Sequence, residues 1–210
     1  MFALPNALTI LRILLVPVFA VAFVMPGDAA RIVAVLVFAL AGISDWLDGF
    51  AARKLKAGSD FGRMLDPIAD KVLVGVALMM LVVEGTLPSH NPTTGALSLL
   101  RLVPSLIILS REILVSGLRE FLASTRVSVP VTAIAKFKTA VQMVAIGAML
   151  LTPLADKYFP DIPAKTYSAV AYILLWVAAA LTVYTGVVYF RSGMAHIRPG
   201  PSEGPSLEEA

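Results

Sequence analysis

The 210-residue sequence is 58% hydrophobic and only 15% charged, whereas an average soluble domain is about 25% charged. A soluble domain of this size could not bury so much apolar surface, because much of its own surface stays in water. The absence of cysteine excludes disulfides and thiolate metal sites. The composition therefore excludes a soluble enzyme, a disordered protein and a disulfide scaffold, and it predicts a helical membrane protein of one domain.

Six segments approach the length of about 20 apolar residues that a membrane-spanning helix needs. They lie near Leu8–Val24, Ile32–Asp45, Leu65–Val83, Leu99–Leu122, Ala140–Leu151 and Ser168–Phe190. The second and fifth are short as apolar runs, so their helices must continue into polar sequence. We expect an all-α polytopic domain over residues 1–198 with six transmembrane helices, followed by a disordered tail over residues 199–210.

Positively charged residues fall mainly on one side of this predicted bundle. Ten lie on the side that also carries both chain ends: Arg53, Lys54, Lys56, Arg63, Arg119, Arg126, Lys136, Lys138, Arg191 and Arg198. The loops predicted on the other side contain only three, Arg31, Lys157 and Lys165. Because short cytoplasmic loops are enriched in Lys and Arg, we expect both termini to be cytoplasmic.

Four aspartates are concentrated between the second and third predicted helices. Asp45 and Asp48 are three residues apart, and Asp66 and Asp70 are four apart, so each pair shares one helix face. A short connection makes the two helices antiparallel neighbours. The four carboxylates are therefore expected to converge at the cytoplasmic end of the bundle, where they line a polar cavity.

Four clustered negative charges repel one another strongly at low dielectric, so either some are protonated or cations lie among them. Oxygen ligands select hard ions such as Mg²⁺, Mn²⁺ or Ca²⁺. Two divalent ions would balance four carboxylates, and such a pair suits phosphoryl chemistry. The alternative is that these aspartates are solvated loop charges.

The segment from Asp45 to Asp70 resembles the signature of the CDP-alcohol phosphatidyltransferase family. That signature is DxxDGxxAR, eight residues, then GxxxDxxxD, and all its fixed letters are present at the same spacing. The resemblance implies a six-helix enzyme that moves a phosphatidyl group from a CDP-linked lipid onto an alcohol and releases CMP. It also implies two divalent cations, Mg²⁺ or Mn²⁺, held by Asp45, Asp48, Asp66 and Asp70, with Asp70 as the catalytic base.

The resemblance also implies a set of residues that contact the CDP-lipid: Asn6, Thr9, Gly49, Ala52, Arg53, Ser59 and Gly62. For several of these residues, their chemistry also supports a role in binding the CDP-lipid. Gly49 and Gly62 have no side chain, so a ligand or a neighbouring helix can approach the backbone closely, and the small side chain of Ala52 leaves similar space. Arg53 can pair with a phosphate or hold a carboxylate. For Asn6 and Thr9, capping of the first helix is an open alternative.

Three flanking stretches are similar to bacterial members of the family whose acceptor is sn-glycerol 3-phosphate. They span Leu4–Arg12, Arg111–Glu120 and Lys136–Met143. An acceptor phosphate beside four carboxylates needs cations, and four residues are candidates to bind it: Arg111, Arg119, Lys136 and Lys138. Arg111 lies inside an apolar run, where a charge is costly and usually functional. The alternative for these cations is anchoring at the membrane surface.

The resemblance further implies an enzyme of the bacterial inner membrane with its active site facing the cytoplasm. CDP-diacylglycerol, sn-glycerol 3-phosphate and membrane lipids are its expected partners, together with a second copy in a homodimer, and no nucleic acid is expected. One rival is the same chemistry with inositol phosphate, serine or phosphatidylglycerol as acceptor. A second is a divalent-cation transporter, which predicts acids at mid-membrane depth rather than at one end. An intramembrane aspartyl protease is disfavoured, because no GxGD motif is present.

Overall fold

The computed structural model describes residues 4–55, 60–85, 99–124 and 133–197. The described residues form helices and short turns without a strand. The long helices are α1 (Leu4–Val24), α2 (Asp28–Leu55), α3 (Asp60–Glu84), α4 (Leu99–Ser124), α5 (Ala133–Leu151) and α7 (Ala164–Ile197). A 3₁₀ turn (Thr152–Leu154) and the short α6 (Ala155–Tyr158) follow α5. The predicted tail over residues 199–210 lies outside the described residues.

Over the described residues, the predicted all-α architecture with six long helices is confirmed, and so is the extension of the second and fifth helices into polar sequence. Helix α2 continues past Asp45 to Leu55, and α5 begins at Ala133, before its apolar run. Glycines with positive φ mark two helix ends. Gly27 (φ 102°) lies in the turn between α1 and α2, and Gly85 (φ 83°) follows α3, in the left-handed conformation that only glycine adopts readily.

The helices pack as two groups around a shared apolar core. Helix α1 packs against α2 and α3, and α7 packs against α4 and α5. Contacts between α2 and α5 and between α3 and α4 join the two groups. Phe19 is fully buried at the centre of the first group, with its ring centroid 5.9 Å from those of Phe23 and Phe38.

Two glycines let α7 approach α4 closely. A Cβ atom at Gly186 would lie 3.1 Å from Cγ of Arg111, and one at Gly193 would lie 2.9 Å from Cδ1 of Leu122. Gly42 makes a similar approach between α2 and α5, where a Cβ atom would lie 2.5 Å from Cε of Met143. Small residues at such crossings are typical of helix packing in membranes.

Two of the described helical segments, Ile134–Tyr158 and Ala164–Met194, are long and apolar enough to cross a membrane. Thr9–Val24 is a shorter apolar helix. Large apolar side chains also cover the outside of the bundle, including Val83 (83% exposed) and Leu114 (71% exposed). These features indicate a membrane protein, whereas the six-span topology and its orientation stay predictions.

Candidate active site

The four aspartates of the signature lie on helical backbone near the ends of α2 and α3. Asp45 and Asp48 belong to the C-terminal half of α2, and Asp66 and Asp70 to the N-terminal half of α3. Their side chains are outside the described set. Among the side chains that are described, no group of three or more His, Cys, Asp or Glu could hold a metal ion.

An ion pair at the opposite end of these helices fixes their relative direction. Arg31, near the start of α2, contacts Glu84, the last residue of α3, so the two helices run antiparallel. Asp45 is fourteen residues after Arg31, and Asp70 is fourteen residues before Glu84. At 1.5 Å per residue, both aspartates lie about 21 Å along their helices from the ion pair. The two halves of the signature are therefore at similar distances from the ion pair when each is measured along its own helix.

Helix α1 brings a buried polar stretch to the same depth. Thr9 and Arg12 are each 1% exposed. Because α1 and α2 form an antiparallel hairpin around Met25–Gly27, Thr9 is level with Ile43, close to Asp45 along the axis. Asn6 lies one turn before Thr9 on α1, and its side chain is not among those described.

Four of the other predicted CDP-lipid residues belong to the signature itself. Gly49, Ala52 and Arg53 lie on α2, and Gly62 lies on α3. Ser59 belongs to the connection between these helices and lies outside the described residues. The structure therefore places six of the seven predicted positions on α1, α2 and α3, the helices that carry the aspartates or pack against them.

A cluster of charged side chains joins α4 to α5 and α7. Lys138 of α5 donates a hydrogen bond to Oε1 of Glu112, and Nη1 of Arg111 lies 3.5 Å from the same oxygen. Nη2 of Arg111 donates a 2.9 Å hydrogen bond to Oγ1 of Thr185. The side chains of the Arg111 cluster, defined as Arg111, Glu112 and Lys138, are 5–14% exposed. Two cations and one carboxylate leave this cluster with a net charge of about +1 at neutral pH.

The Arg111 cluster lies near the depth of the aspartates. A Cβ atom at Gly75 of α3 would lie 3.5 Å from Cδ1 of Leu109 of α4. Toward the end of the bundle that carries the signature aspartates, Asp70 lies five residues beyond Gly75, which is about 7.5 Å along the helix axis. In the same direction, Arg111 lies two residues beyond Leu109, which is about 3 Å. Arg111 and Asp70 are thus separated along the bundle axis by about one helical turn.

Two other predicted acceptor residues do not join this cluster. Arg119 is exposed two turns further along α4, with its guanidinium 5.6 Å from the ring centroid of Tyr189. Lys136 is exposed in the first turn of α5. The structure therefore brings Arg111 and Lys138 together around Glu112, and it leaves Arg119 and Lys136 on the surface at the signature end.

Sequence reasoning missed three residues that shape this cluster: Glu112, Thr185 and Gly186. Glu112 carried a signal, because an acid beside Arg111 inside an apolar run is costly unless it is paired. Thr185 and Gly186 carried no signal in the sequence except that they interrupt an apolar helix with two small residues. Within the described chain, several buried polar atoms near the cluster lack a hydrogen-bond partner: Nε of Arg111, Oε1 of Gln142 and Oγ1 of Thr182. Such atoms mark a polar interior at this depth.

Comparison with known proteins gives a consistent result over most of the chain. The family model described as CDP-alcohol phosphatidyltransferase matches residues 2–184. The chain is 43% identical over 190 residues to a CDP-diacylglycerol–glycerol-3-phosphate 3-phosphatidyltransferase of Rickettsia felis, an alignment covering 90% of this chain and 94% of the relative. Relatives with the same name from Haemophilus influenzae (38% identity; 90% and 92% covered) and Pseudomonas fluorescens (37%; 93% and 92%) are similar over the same extent.

Proposed function

This chain belongs to the CDP-alcohol phosphatidyltransferase family, and we propose that it transfers the phosphatidyl group of CDP-diacylglycerol to sn-glycerol 3-phosphate. The products are phosphatidylglycerophosphate and CMP. The observation that carries this proposal is the complete family signature, whose two halves lie on α2 and α3 with Asp45 and Asp70 each fourteen residues from the Arg31–Glu84 ion pair. The names of the relatives support the choice of acceptor.

The donor set of the signature fits hard divalent cations. Asp45, Asp48, Asp66 and Asp70 offer only oxygen ligands, which Mg²⁺ and Mn²⁺ prefer. These four residues would hold two such ions. When bound, the ions supply positive charge to the diphosphate and to the departing CMP.

The proposed reaction is a direct displacement with Asp70 as the general base. Asp70 takes the proton from the C1 hydroxyl of sn-glycerol 3-phosphate. The hydroxyl oxygen forms a bond to the phosphorus that carries the diacylglycerol, and the bond from that phosphorus to CMP breaks. Holding both substrates in line supplies much of the rate, because the step becomes effectively unimolecular.

The CDP-lipid is proposed to bind along α1, α2 and α3. Gly49, Ala52 and Gly62 leave room for the nucleotide, and Arg53 and Ser59 provide polar contacts to it. Asn6 and Thr9 complete this set from α1. Thr9 is buried and α1 packs against α2 and α3, which supports the part played by α1.

The acceptor phosphate is proposed to bind to the basic residues of α4 and α5. The Arg111 cluster has a net positive charge and lies near the depth of Asp70, which supports a phosphate site there. A guanidinium and an ammonium together suit a dianionic phosphate. In this arrangement the phosphate competes with Glu112 for Arg111 and Lys138, while Arg119 and Lys136 attract it from the surface.

The proposed setting is the bacterial inner membrane, crossed six times, with both termini and the active site facing the cytoplasm. The distribution of Lys and Arg supports this orientation. The acyl chains of the substrate would stay in the bilayer while its nucleotide enters the polar end of the bundle. We propose a homodimer as the functional assembly.

Purified protein with CDP-diacylglycerol, Mg²⁺ and a panel of acceptors tests the proposal through CMP release. We expect rapid release with sn-glycerol 3-phosphate and none above background with inositol phosphate, serine or phosphatidylglycerol. Release with another acceptor alone would reassign the substrate within the family. Metal flux into proteoliposomes without CMP release would instead favour a transporter.

A further inference from the structure

We propose that Thr185 and Gly186 of α7 are positioning residues that orient the guanidinium of Arg111 toward the acceptor phosphate. The inference rests on the proposed function, because the orientation of Arg111 matters only if Arg111 binds the acceptor phosphate. It assigns a role in acceptor binding to α7, a helix that carries none of the residues predicted from the sequence.

The hydroxyl of Thr185 is fixed by its own helix. Its Oγ1 atom lies 2.9 Å from the carbonyl oxygen of Leu181 and 3.1 Å from that of Thr182. The single hydroxyl proton is therefore directed to the α7 backbone, and a lone pair is left to accept the 2.9 Å hydrogen bond from Nη2 of Arg111. Because Thr185 is only 5% exposed, water does not readily replace this contact.

The backbone of Gly186 supports the arm of the same arginine. A Cβ atom at this position would lie 3.1 Å from Cγ, 3.3 Å from Nε and 3.8 Å from Cδ of Arg111. These separations are below ordinary van der Waals contact for the first two atoms. A methyl group would therefore push the arginine arm away by a few tenths of an ångström, and it would strain the hydrogen bond to Thr185.

The two contacts act on different parts of Arg111. Gly186 sets how far the arm stands from α7, and Thr185 holds one terminal nitrogen. Glu112 attracts the other terminal nitrogen at 3.5 Å. Without the hydroxyl on α7, the guanidinium would be free to turn toward the carboxylate on its own helix. The planar group would then lose the fixed orientation that bidentate recognition of a phosphate needs.

Steady-state kinetics of purified variants test the inference. The variants are Thr185→Val, which keeps the shape and removes the hydroxyl, Thr185→Ser, which keeps the hydroxyl, and Gly186→Ala. Gly147→Ala is the matched control, because a Cβ atom there meets nothing within 4 Å. For each variant, KM for sn-glycerol 3-phosphate, KM for CDP-diacylglycerol, kcat and the thermal unfolding midpoint are measured.

We expect Thr185→Val and Gly186→Ala to raise KM for sn-glycerol 3-phosphate on the order of tenfold, the size of effect expected when one hydrogen bond to a charged group is lost. KM for CDP-diacylglycerol should change less than about twofold, as expected for an effect confined to one substrate. Thr185→Ser and Gly147→Ala should behave as the wild type. In an Arg111→Lys background, Thr185→Val should have no further effect, because residues that act through each other are not additive.

An unchanged KM for sn-glycerol 3-phosphate in both active α7 variants would overturn the inference and leave the proposed function intact. Equal increases in both KM values with a lower unfolding midpoint would show a merely structural role and would also overturn it. A wild-type enzyme that releases no CMP with sn-glycerol 3-phosphate would overturn the proposed function and, with it, this inference.

Discussion

Glu112 on α4 accepts a hydrogen bond from Lys138 on α5, and the two side chains are 12% and 5% exposed. A charged pair buried to this degree is held together partly because separating it would leave a charge without compensation. Arg111 approaches the same carboxylate oxygen, so Glu112 lies between two cations. The pair therefore ties α4 to α5 and also limits the net charge of the Arg111 cluster.

Removing one member of this pair should destabilise the protein. We expect Glu112→Gln to lower the free energy of unfolding by about 3 kcal/mol, because it leaves Arg111 and Lys138 without their buried counter-charge. Lys138→Met should cost less, because Arg111 still lies beside the Glu112 carboxylate. The double variant should recover only part of the loss caused by Glu112→Gln, since it removes the Lys138 charge but leaves Arg111 without its carboxylate. Thermal unfolding in detergent measures the effect. Lys157→Met is the control, because Lys157 pairs with Asp28 at an exposed site. Single variants as stable as the wild type would contradict this view of the pair.

Apolar runs were sufficient to predict the number and order of the long helices but not their ends. The run in α2 ends near Asp45, yet the helix continues to Leu55. Hydropathy marks only the part of a helix that contacts lipid or core. Backbone hydrogen bonding continues through Asp45, Asp48 and Arg53, because none of these residues breaks a helix. We expected α2 to continue into polar sequence because its apolar run is shorter than the roughly 20 residues that a membrane-spanning helix needs.

The aspartates lie on helices, as their spacing predicted, whereas the contacts of the basic residues on α4 and α5 could not be predicted from spacing. Spacings of three and four residues place a pair on one helix face whatever surrounds it. The hydrogen bonds of Lys138 to Glu112 and of Arg111 to Thr185 join residues 26 and 74 positions apart. Such contacts depend on how each helix is rotated in the bundle, which a single sequence does not encode in a readable pattern. For this reason the sequence pointed to Arg111 as a candidate but not to its hydrogen-bond partner Thr185.

Replacing the proposed base should stop the reaction without preventing binding of the lipid substrate. We expect Asp70→Asn to lower kcat at least about a hundredfold, because general-base catalysis contributes a factor of about 10²–10⁴. Binding of CDP-diacylglycerol should persist, because three carboxylates of the signature remain. Single-turnover CMP release and a separate binding titration distinguish the two effects. Asp161→Asn, at an exposed position in the connection before α7, is the control, and an active Asp70→Asn enzyme would rule out this base.

Removal of divalent cations should abolish activity reversibly. Four aspartates without cations repel one another, so chelation should also lower the thermal unfolding midpoint of the wild type. Mg²⁺ or Mn²⁺ added back should restore both properties. Asp48→Asn should raise the Mg²⁺ concentration that gives half-maximal activity, because one oxygen donor is lost. Full activity of an EDTA-treated, desalted enzyme would contradict the assignment of the four aspartates as metal ligands.

The Arg31–Glu84 ion pair should contribute to stability without affecting the chemistry. Arg31 is buried against Glu84, and its guanidinium lies 4.1 Å from the ring centroid of Phe23. The side chain thus joins α1, α2 and α3 at the end opposite the aspartates, about 21 Å from Asp45. We expect Arg31→Met to lower the free energy of unfolding by about 2 kcal/mol, from the loss of a part-buried ion pair and a cation–π contact.

The same variant tests whether the two ends of the bundle are coupled. If the antiparallel alignment of α2 and α3 is held mainly by their packing on α1, Arg31→Met should leave both KM values and kcat within about twofold of the wild type at a temperature well below unfolding. Glu84→Gln should lower the unfolding midpoint less, because a neutral amide still accepts a hydrogen bond from Arg31. If Arg31→Met instead lowered kcat in a fully folded protein, the ion pair itself would be setting the alignment of Asp45 with Asp70. Rescue by Arg31→Lys, which retains the charge, would then identify the electrostatic contact as the cause.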